Sequence, residues 1–556
     1  MPVKIIEKDA SVYSFQLLIK HLLRTPVIYA PDQEIIYRDV FRYTYREMEK
    51  RVARLANALS AIGVCQGDTV AVMDWDSHRY LECFFAVPMM GAVLHTVNIR
   101  LSKEQLIYTI NHAEDDVILV NIEFLPMLEE VKDQFTTVKK IVLLSDTGSL
   151  PETTLLLDGE YETLLAEAAS DYDFPDFDEN AVATTFYTTG TTGLPKGVYF
   201  SHRQLVLHTY GVMASLAAFD SQANISSSDV YMPITPMFHV HAWGMPYLMT
   251  HLGARQVYPG RYEPDTLLNL IDQEKVTFSH CVPTILHMLL TSPKSREVNL
   301  NGWKVVIGGS ALSKGLCSQA LELGINVFTG YGMSETCPIL TIANLKPEIR
   351  GQEENRQILY RCRTGLPISN TMIEIIDPNG TPVPHNGKTT GEIVARTPWL
   401  TQGYAKDPER STELWAGGWL HTGDIGFIDE QGYLQVTDRL KDVIKTGGEW
   451  ISSLELEDII SQHKAVSETA VIGVPDQKWG ERPLALVILK EEFKEKVSVE
   501  ELKRFIAGFA EEGIIPKYGV PDELLFVDTI AKTSVGKLNK KQLRKEYHQG
   551  DEVWPR

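Results

Sequence analysis

Tyr187-Thr188-Thr189-Gly190-Thr191-Thr192-Gly193-Leu194-Pro195-Lys196-Gly197 follows a short apolar run, Ala181 to Phe186, and leads into Val198-Tyr199-Phe200. The ten residues from Thr188 hold four threonines and three glycines. Such a stretch cannot build a core, because it has little apolar surface and loses much backbone entropy on ordering. It can build a phosphate cradle. Glycines let backbone N–H groups approach an anion, hydroxyls add donors, and Lys196 adds charge. A Gly/Thr cluster is ordinarily a surface turn, but the Pro-Lys-Gly ending and the strand-like flanks set this one apart. It is not a Walker loop: counted from Gly190, the second glycine position is Pro195, and Gly197 follows the lysine.

Four further stretches extend the pattern. They are Gly330-Tyr331-Gly332-Met333-Ser334-Glu335-Thr336, Gly418-Trp419-Leu420-His421-Thr422-Gly423-Asp424, Asp438-Arg439-Leu440-Lys441-Asp442-Val443-Ile444-Lys445 and Thr533-Ser534-Val535-Gly536-Lys537. In this order and spacing, with the first loop, they resemble the AMP-forming adenylating enzymes: acyl-CoA synthetases, beetle luciferases and peptide-synthetase adenylation domains. The resemblance covers nearly the whole chain and is closest to bacterial medium- and long-chain fatty-acyl-CoA synthetases.

At 556 residues the chain is too long for one compact core. Its 44% hydrophobic and 23% charged residues fit an ordinary globular protein. A formal net charge of -20 argues against nonspecific binding to nucleic acid or an anionic membrane, since both select positive surfaces. Any basic patch for CoA phosphates must be local. No secretory signal opens the chain and no apolar run is long enough to span a bilayer. Cys65, Cys83, Cys281, Cys317, Cys337 and Cys362 are dispersed without a Cys-x-x-Cys pair, which suits free thiols in a reducing compartment. A cytoplasmic enzyme is expected, with peripheral membrane contact and homodimerisation left open.

Along the chain, Tyr43 to Gly63 reads as an amphipathic helix and Thr69 to Met73 as a buried strand. Between Asp265 and Gly332 the alternation is clearest. Helices are predicted over Thr266 to Glu274, Thr284 to Leu290 and Leu316 to Leu323, and strands over Val276 to Cys281, Trp303 to Ile307 and Ile325 to Thr329. The last two strands feed small-residue loops, Gly308-Gly309-Ser310 and Gly330-Tyr331-Gly332, at the carboxyl ends where open α/β sheets bind nucleotides. From Thr364 to Asp438 short strands and turns predominate, with turn signals at Asp377-Pro378-Asn379-Gly380 and Asp429-Glu430-Gln431-Gly432. Beyond lies a smaller unit. Its helix is Leu454 to His463, its strands Thr469 to Val474 and Leu484 to Leu489, and Ser498 with Glu501 forms a capping box opening a helix to about Phe509. Lys537 to Lys545 reads as a solvated helix face.

The fold class expected with the resemblance is α/β. A large N-terminal domain, residues 1–438, holds two sheet–helix subdomains and a small β-barrel-like subdomain at about 364–438. A small mobile α+β domain, 439–556, turns on a hinge at Lys441.

A carboxylate is a poor electrophile, so thioester formation requires one oxygen to become a leaving group. The family achieves this by joining the acid to AMP. The resemblance implies ATP and CoA as co-substrates and Mg2+ as cofactor. It makes Thr188 and Glu335 the metal-site oxygens and Ser334 a hydroxyl donor to the α-phosphate. The loop Thr188, Thr189, Gly190, Thr191, Thr192, Gly193 and Lys196 would grip phosphates, while Gly309, Thr329, Gly330 and Tyr331 line the nucleotide and acyl head. Asp424 and Arg439 match the ribose-binding pair; two vicinal hydroxyls suit one carboxylate. Lys537 matches the adenylation lysine, which bridges acyl carboxylate and α-phosphate in the first half-reaction and must leave for the second. Rotation about Lys441 would then bring Lys445, Gly447, Gly448 and Trp450 to the site, with Gly448 near pantetheine.

Pro236-Met237-Phe238-His239-Val240-His241-Ala242-Trp243-Gly244 marks the acyl pocket, with His239, Val240 and Trp243 as substrate-binding residues. In the similar bacterial synthetases a tryptophan at the place of Trp243 gates an acyl tunnel. The His-x-His pair lacks a third ligand nearby and sits in apolar surroundings, which disfavours metal. Arg363-Thr364-Gly365-Leu366-Pro367 and Gly447-Gly448-Glu449-Trp450-Ile451-Ser452-Ser453 belong to the same branch.

The leading expectation is a fatty acid:CoA ligase. Alternatives are a ligase for a short, branched, alicyclic or sulfur-containing acid, as in methylmercaptopropionate-CoA ligases, or a non-catalytic acyl or nucleotide binder on the same scaffold. A carrier-loading acyl-AMP ligase is disfavoured because no carrier domain follows. A luciferase-type oxygenase would declare itself only by light emission. Gly308-Gly309-Ser310-Ala311-Leu312 lacks the closing glycine of a hydrolase nucleophile elbow.

Overall fold

A computed structural model describes residues 3–148, 151–188, 194–446, 449–494, 496–533 and 537–547. Within them the elements are mixed α/β, as expected from the alternation of periods. A seven-stranded sheet runs in the order Gly159–Glu160, Lys140–Leu144, Val117–Asn121, Thr69–Met73, Val93–Thr96, Val182–Thr188, Lys196–Ser201. It is parallel until the last pair, an antiparallel hairpin in which Thr188 faces Lys196. A nine-stranded sheet carries, side by side, Val230–Pro233, Phe278–Cys281, Lys304–Ile307 and Asn326–Gly332, all parallel.

The helix His78–Met89 is buried along its whole length. A helix buried all round belongs inside a large core, and its polar residues then need partners. They have them: Arg51 pairs with Glu82 at 2.7 Å and Glu162 at 2.9 Å, and Tyr161 donates to Glu82 at 2.6 Å. No helix among the described residues is long and apolar enough to cross a membrane.

Several sequence-predicted boundaries shift for local reasons. The helix predicted over Tyr43 to Gly63 is Tyr45–Ala61, because Thr44 is extended and its hydroxyl caps the Glu47 amide. Tyr43 belongs instead to the strand Phe41–Thr44. The Gly330-Tyr331-Gly332 loop is strand: the chain turns back after Gly332, and Ile339–Ile342 supplies an antiparallel partner through a bulge at Tyr331/Gly332. Ser498 caps Glu501, but only that half of the box is formed, opening Val499–Glu511. The basic C-terminal helix Lys540–Tyr547 is not simply solvated, since Lys540 and Leu543 are buried.

The β-rich stretch forms a four-stranded antiparallel sheet, Met372–Ile376, Gly391–Arg396, Leu420–Ile428, Leu434–Arg439, with both anticipated turns in place. The last sheet gathers Glu449–Ile451, Ile444–Thr446, Gly480–Leu489, Val466–Asp476 and Glu523–Phe526. It rests on the N-terminal part through Lys314, whose amide and ammonium meet Asp458 at 3.1 and 2.9 Å, and through Ser467 against His287 at 3.3 Å.

The connection is stitched by a buried polar cluster. Asp438 accepts the amide and hydroxyl of Ser453, each at 2.7 Å. The Lys540 ammonium donates to that hydroxyl at 2.6 Å and pairs with Glu457 at 2.8 Å. Removing the one cation leaves two buried carboxylates unbalanced. Lys540→Met is expected to lower unfolding stability by about 3–5 kcal/mol, read as a fall in the denaturant midpoint; an unchanged midpoint would mean the cluster is not stabilising.

Candidate active site

Two parallel strands end side by side at Gly308-Gly309 and at Gly330. Gly308 is required by what crosses it, and Gly309 by its own backbone. A Cβ on Gly308 would lie 2.8 Å from the Trp243 indole and 3.0 Å from the Gly330 carbonyl. Gly309 has φ +80°, and a Cβ there would lie 2.9 Å from Cε of Lys537. The strand end is therefore bare, and one aromatic and one cationic side chain pass over it.

Lys537 thus reaches the carboxyl ends of the N-terminal strands from the C-terminal part of the chain. Burial, reinforced by the neighbouring Arg439 charge, pulls its ammonium down to about 8, while Asp424 and Glu335 act in the other direction. Three elements meet at Asp424. Its carboxylate accepts the Tyr331 phenol at 2.7 Å and pairs with Arg439 Nε at 3.3 Å. Arg439 lies opposite Asp424 across the antiparallel pair of strands. Burial pushes the Asp424 carboxyl upward, and Arg439 and Tyr331 oppose that shift.

Glu335 is buried in the one-turn helix Ser334–Thr336, beside the half-buried Ser334. Its carboxylate accepts the Tyr404 phenol at 2.7 Å. Lys196 stands 3.9 Å over the Tyr404 ring, its ammonium lowered by burial and held partly up by Glu335. A cleft of about 210 Å3, lined by Tyr108, His112, Tyr404, Lys406 and Arg410 among others, opens against Lys196. Thr188 Oγ1 is buried without a hydrogen-bond partner among the described residues. Tyr404 was not singled out in the sequence, where nothing local ties a lone tyrosine to Glu335.

Other expected site residues fall in different places. Gly330 packs against Val306. The Thr329 hydroxyl is committed to the Arg361 carbonyl at 2.9 Å. Lys441 lies in the turn after Arg439, its ammonium lowered by burial and by Arg439. Lys445 is exposed on Ile444–Thr446, where its amide donates to Glu481 at 2.9 Å, and it is not gathered with Lys537. Trp450 has its backbone in Glu449–Ile451. Thr189, Gly190, Thr191, Thr192, Gly193, Gly447 and Gly448 lie outside the described residues, as do Ser534 to Gly536.

The acyl stretch has an unforeseen backbone. Val240, His241, Ala242 and Trp243 have φ of 49°, 54°, 47° and 60°, followed by Gly244 at 73°. Left-handed geometry costs roughly 1–2 kcal/mol per L-residue, so tertiary packing must hold this turn. Val240, His241, Ala242 and Trp243 are all buried. His241 lies edge-on to Phe84 and Phe186. Burial pulls His241 and His239 down to about 3, His239 also feeling the Lys537 charge.

Comparisons with known proteins bear on the family and the fold. The family model described as AMP-binding enzyme matches residues 26–405, and that described as AMP-binding enzyme C-terminal domain matches 455–537. A long-chain-fatty-acid–CoA ligase of Thermus thermophilus is 42% identical over 514 residues, covering 92% of this chain and 91% of its own. A 3-methylmercaptopropionyl-CoA ligase of Ruegeria lacuscaerulensis is 36% identical, covering 96% of this chain and 97% of its own. The crystal structure of the anthranilate CoA ligase AuaEII with anthranoyl-AMP superimposes with a TM-score of 0.81 at 25% identity, covering 96% and 97%.

Tyr404→Phe deletes the phenol donor to a buried carboxylate. A hydrogen bond to a charged group contributes about 1.5–3 kcal/mol, and a loss of that size is expected in equilibrium unfolding. No loss would mean that Glu335 is satisfied by other groups.

Proposed function

The chain belongs to the AMP-binding enzyme family and is an AMP-forming acyl-CoA ligase; from that premise we propose that its acid is a medium- or long-chain fatty acid and that Lys537 drives the adenylation. The observation that carries the assignment is the Lys537 side chain against Gly309, within electrostatic reach of Asp424, Arg439 and Glu335.

In the first half-reaction a carboxylate oxygen attacks the α-phosphorus of ATP, a P–O bond forms, and pyrophosphate leaves with the electrons of the broken one. Two anions meet, and the Lys537 ammonium would lie between them. A donor of this kind contributes about 10²- to 10³-fold in rate. Asp424 would accept both ribose hydroxyls, with Arg439 fixing its carboxylate. Ser334 would donate to the α-phosphate. Glu335 and the Thr188 hydroxyl, which has no hydrogen-bond partner among the described residues, are hard oxygen donors of the type Mg2+ prefers. When bound, that ion would neutralise phosphate charge. Lys196 would serve the same polyphosphate from the tyrosine side.

In the second half-reaction the CoA thiol attacks the acyl carbonyl and AMP departs. Lys537 occupies the approach and must withdraw, which rotation of residues 439–556 about Lys441 would accomplish. Lys445, Gly448 and Trp450 are the residues proposed to replace it. Trp243 would border the acyl chain, with His239 and Val240 beside it. A shorter, branched, alicyclic or sulfur-containing acid is the second reading, favoured by the close packing of Trp243 between His280, at 5.0 Å between ring centroids, and the Gly308 backbone.

ATP–pyrophosphate exchange over acids from acetate to stearate, with CoA then added to the positives, tests the substrate: exchange is expected with octanoate through palmitate, and exchange confined to short or sulfur-containing acids would select the second reading. Lys537→Ala should abolish acyl-AMP formation while sparing thioester formation from supplied acyl-AMP; equal loss in both halves would reject the two-arrangement scheme. The ammonium acts when protonated, and its value of about 8 lies within reach of the assay. The adenylation kcat/KM should therefore be flat below that pH and fall above it, about tenfold per further unit.

A further inference from the structure

The imidazole of His280 is not among the residues that the adenylation chemistry uses, yet it is fully buried and held on both nitrogens. The Thr235 hydroxyl donates to the His280 carbonyl at 3.3 Å, so that hydroxyl accepts from Nδ1 at 3.1 Å. Nε2 is then the acceptor for the Tyr231 phenol at 2.8 Å. One neutral tautomer satisfies every group, and burial holds the ring neutral by lowering it to about 3.

This pinned ring faces Trp243, with ring centroids 5.0 Å apart and planes inclined by 33°. The opposite constraint on the indole is the bare backbone of Gly308. Gly308 adjoins Gly309, where Lys537 would meet the carboxylate. An acyl chain leaving that carboxylate therefore encounters the indole almost at once. Whether it can continue depends on the indole moving, and the indole is attached to a buried backbone turn of left-handed residues.

We propose that His280 is a specificity-determining residue that sets acyl chain length, by backing the Trp243 indole with a hydrogen-bond-fixed ring so that longer chains must displace it. The inference rests on the reading that Trp243 borders the acyl chain. His280 acts on the substrate through Trp243 and is a positioning residue. Volume at such a site discriminates strongly, since one methylene in an apolar pocket is worth about tenfold or more.

The test measures pyrophosphate release with straight-chain acids from butyrate to palmitate for the full-length enzyme, His280→Ala and Tyr231→Phe. His280→Ala removes the ring. Tyr231→Phe keeps the ring volume but frees Nε2, and serves alone if His280→Ala fails to fold. The kcat/KM ratio of palmitate to octanoate is expected to rise about tenfold in His280→Ala and by a smaller factor in Tyr231→Phe, with the KM for ATP within twofold of the parent in both. A general structural loss would lower both acids and ATP together and leave the ratio unmoved. A ratio unchanged in the folded variants overturns the role of His280. If the parent enzyme releases pyrophosphate with none of these acids but does so with a sulfur-containing or cyclic acid, the fatty-acid reading fails, and the His280 role falls with it.

Discussion

The carboxylate of Asp424 is the joint at which two sheets meet. Tyr331 comes from the end of the nine-stranded sheet, Asp424 and Arg439 from adjacent strands of the small antiparallel sheet, and the chain leaves Arg439 directly into the C-terminal unit. A buried carboxylate tolerates removal from water only when donors are fixed around it. Here the donors belong to separate layers, so meeting the electrostatic need of one side chain also registers the layers against each other. The Lys537 ammonium enters the same field. Structure and chemistry draw on one charge arrangement.

That arrangement explains why the site is assembled rather than carved. The strand ends contribute glycines, which supply no chemistry of their own but let Trp243 and Lys537 approach the backbone. The polar side chains come from the ends of several strands, from the one-turn helix Ser334–Thr336 and from the far end of the sequence. The buried Asp438–Ser453–Lys540–Glu457 cluster flanks the same junction and fixes the residues on either side of the short Arg439-to-Val443 turn. A rotation about Lys441 that serves the two half-reactions would therefore have to break the Asp438–Ser453 hydrogen bonds, which join the two sides of that turn.

Much of this was legible in the chain. Periodicity located the helix–strand units between Asp265 and Gly332 to within a few residues, because each element buries one face or is buried on both. The motif residues Asp424, Arg439, Glu335 and Lys537 could be named because a resemblance supplied roles that composition does not. What escaped was whatever depends on tertiary partners. The continuation of strand through Gly330-Tyr331-Gly332 required knowing that Ile339–Ile342 returns beside it. Tyr404 acquires meaning only once its phenol meets Glu335. His280 sits in a strand-like run where a lone histidine carries no signal, and only the positions of Tyr231, Thr235 and Trp243 distinguish it.

The left-handed run from Val240 to Trp243 has an engineering consequence. None of its four residues is glycine, although glycine adopts that geometry at least expense. Heat resistance could be raised there by relieving the backbone, but the relief would come from the segment that carries the indole. On the proposed role of Trp243, robustness and selectivity for substrate would be traded against each other at this point in the molecule.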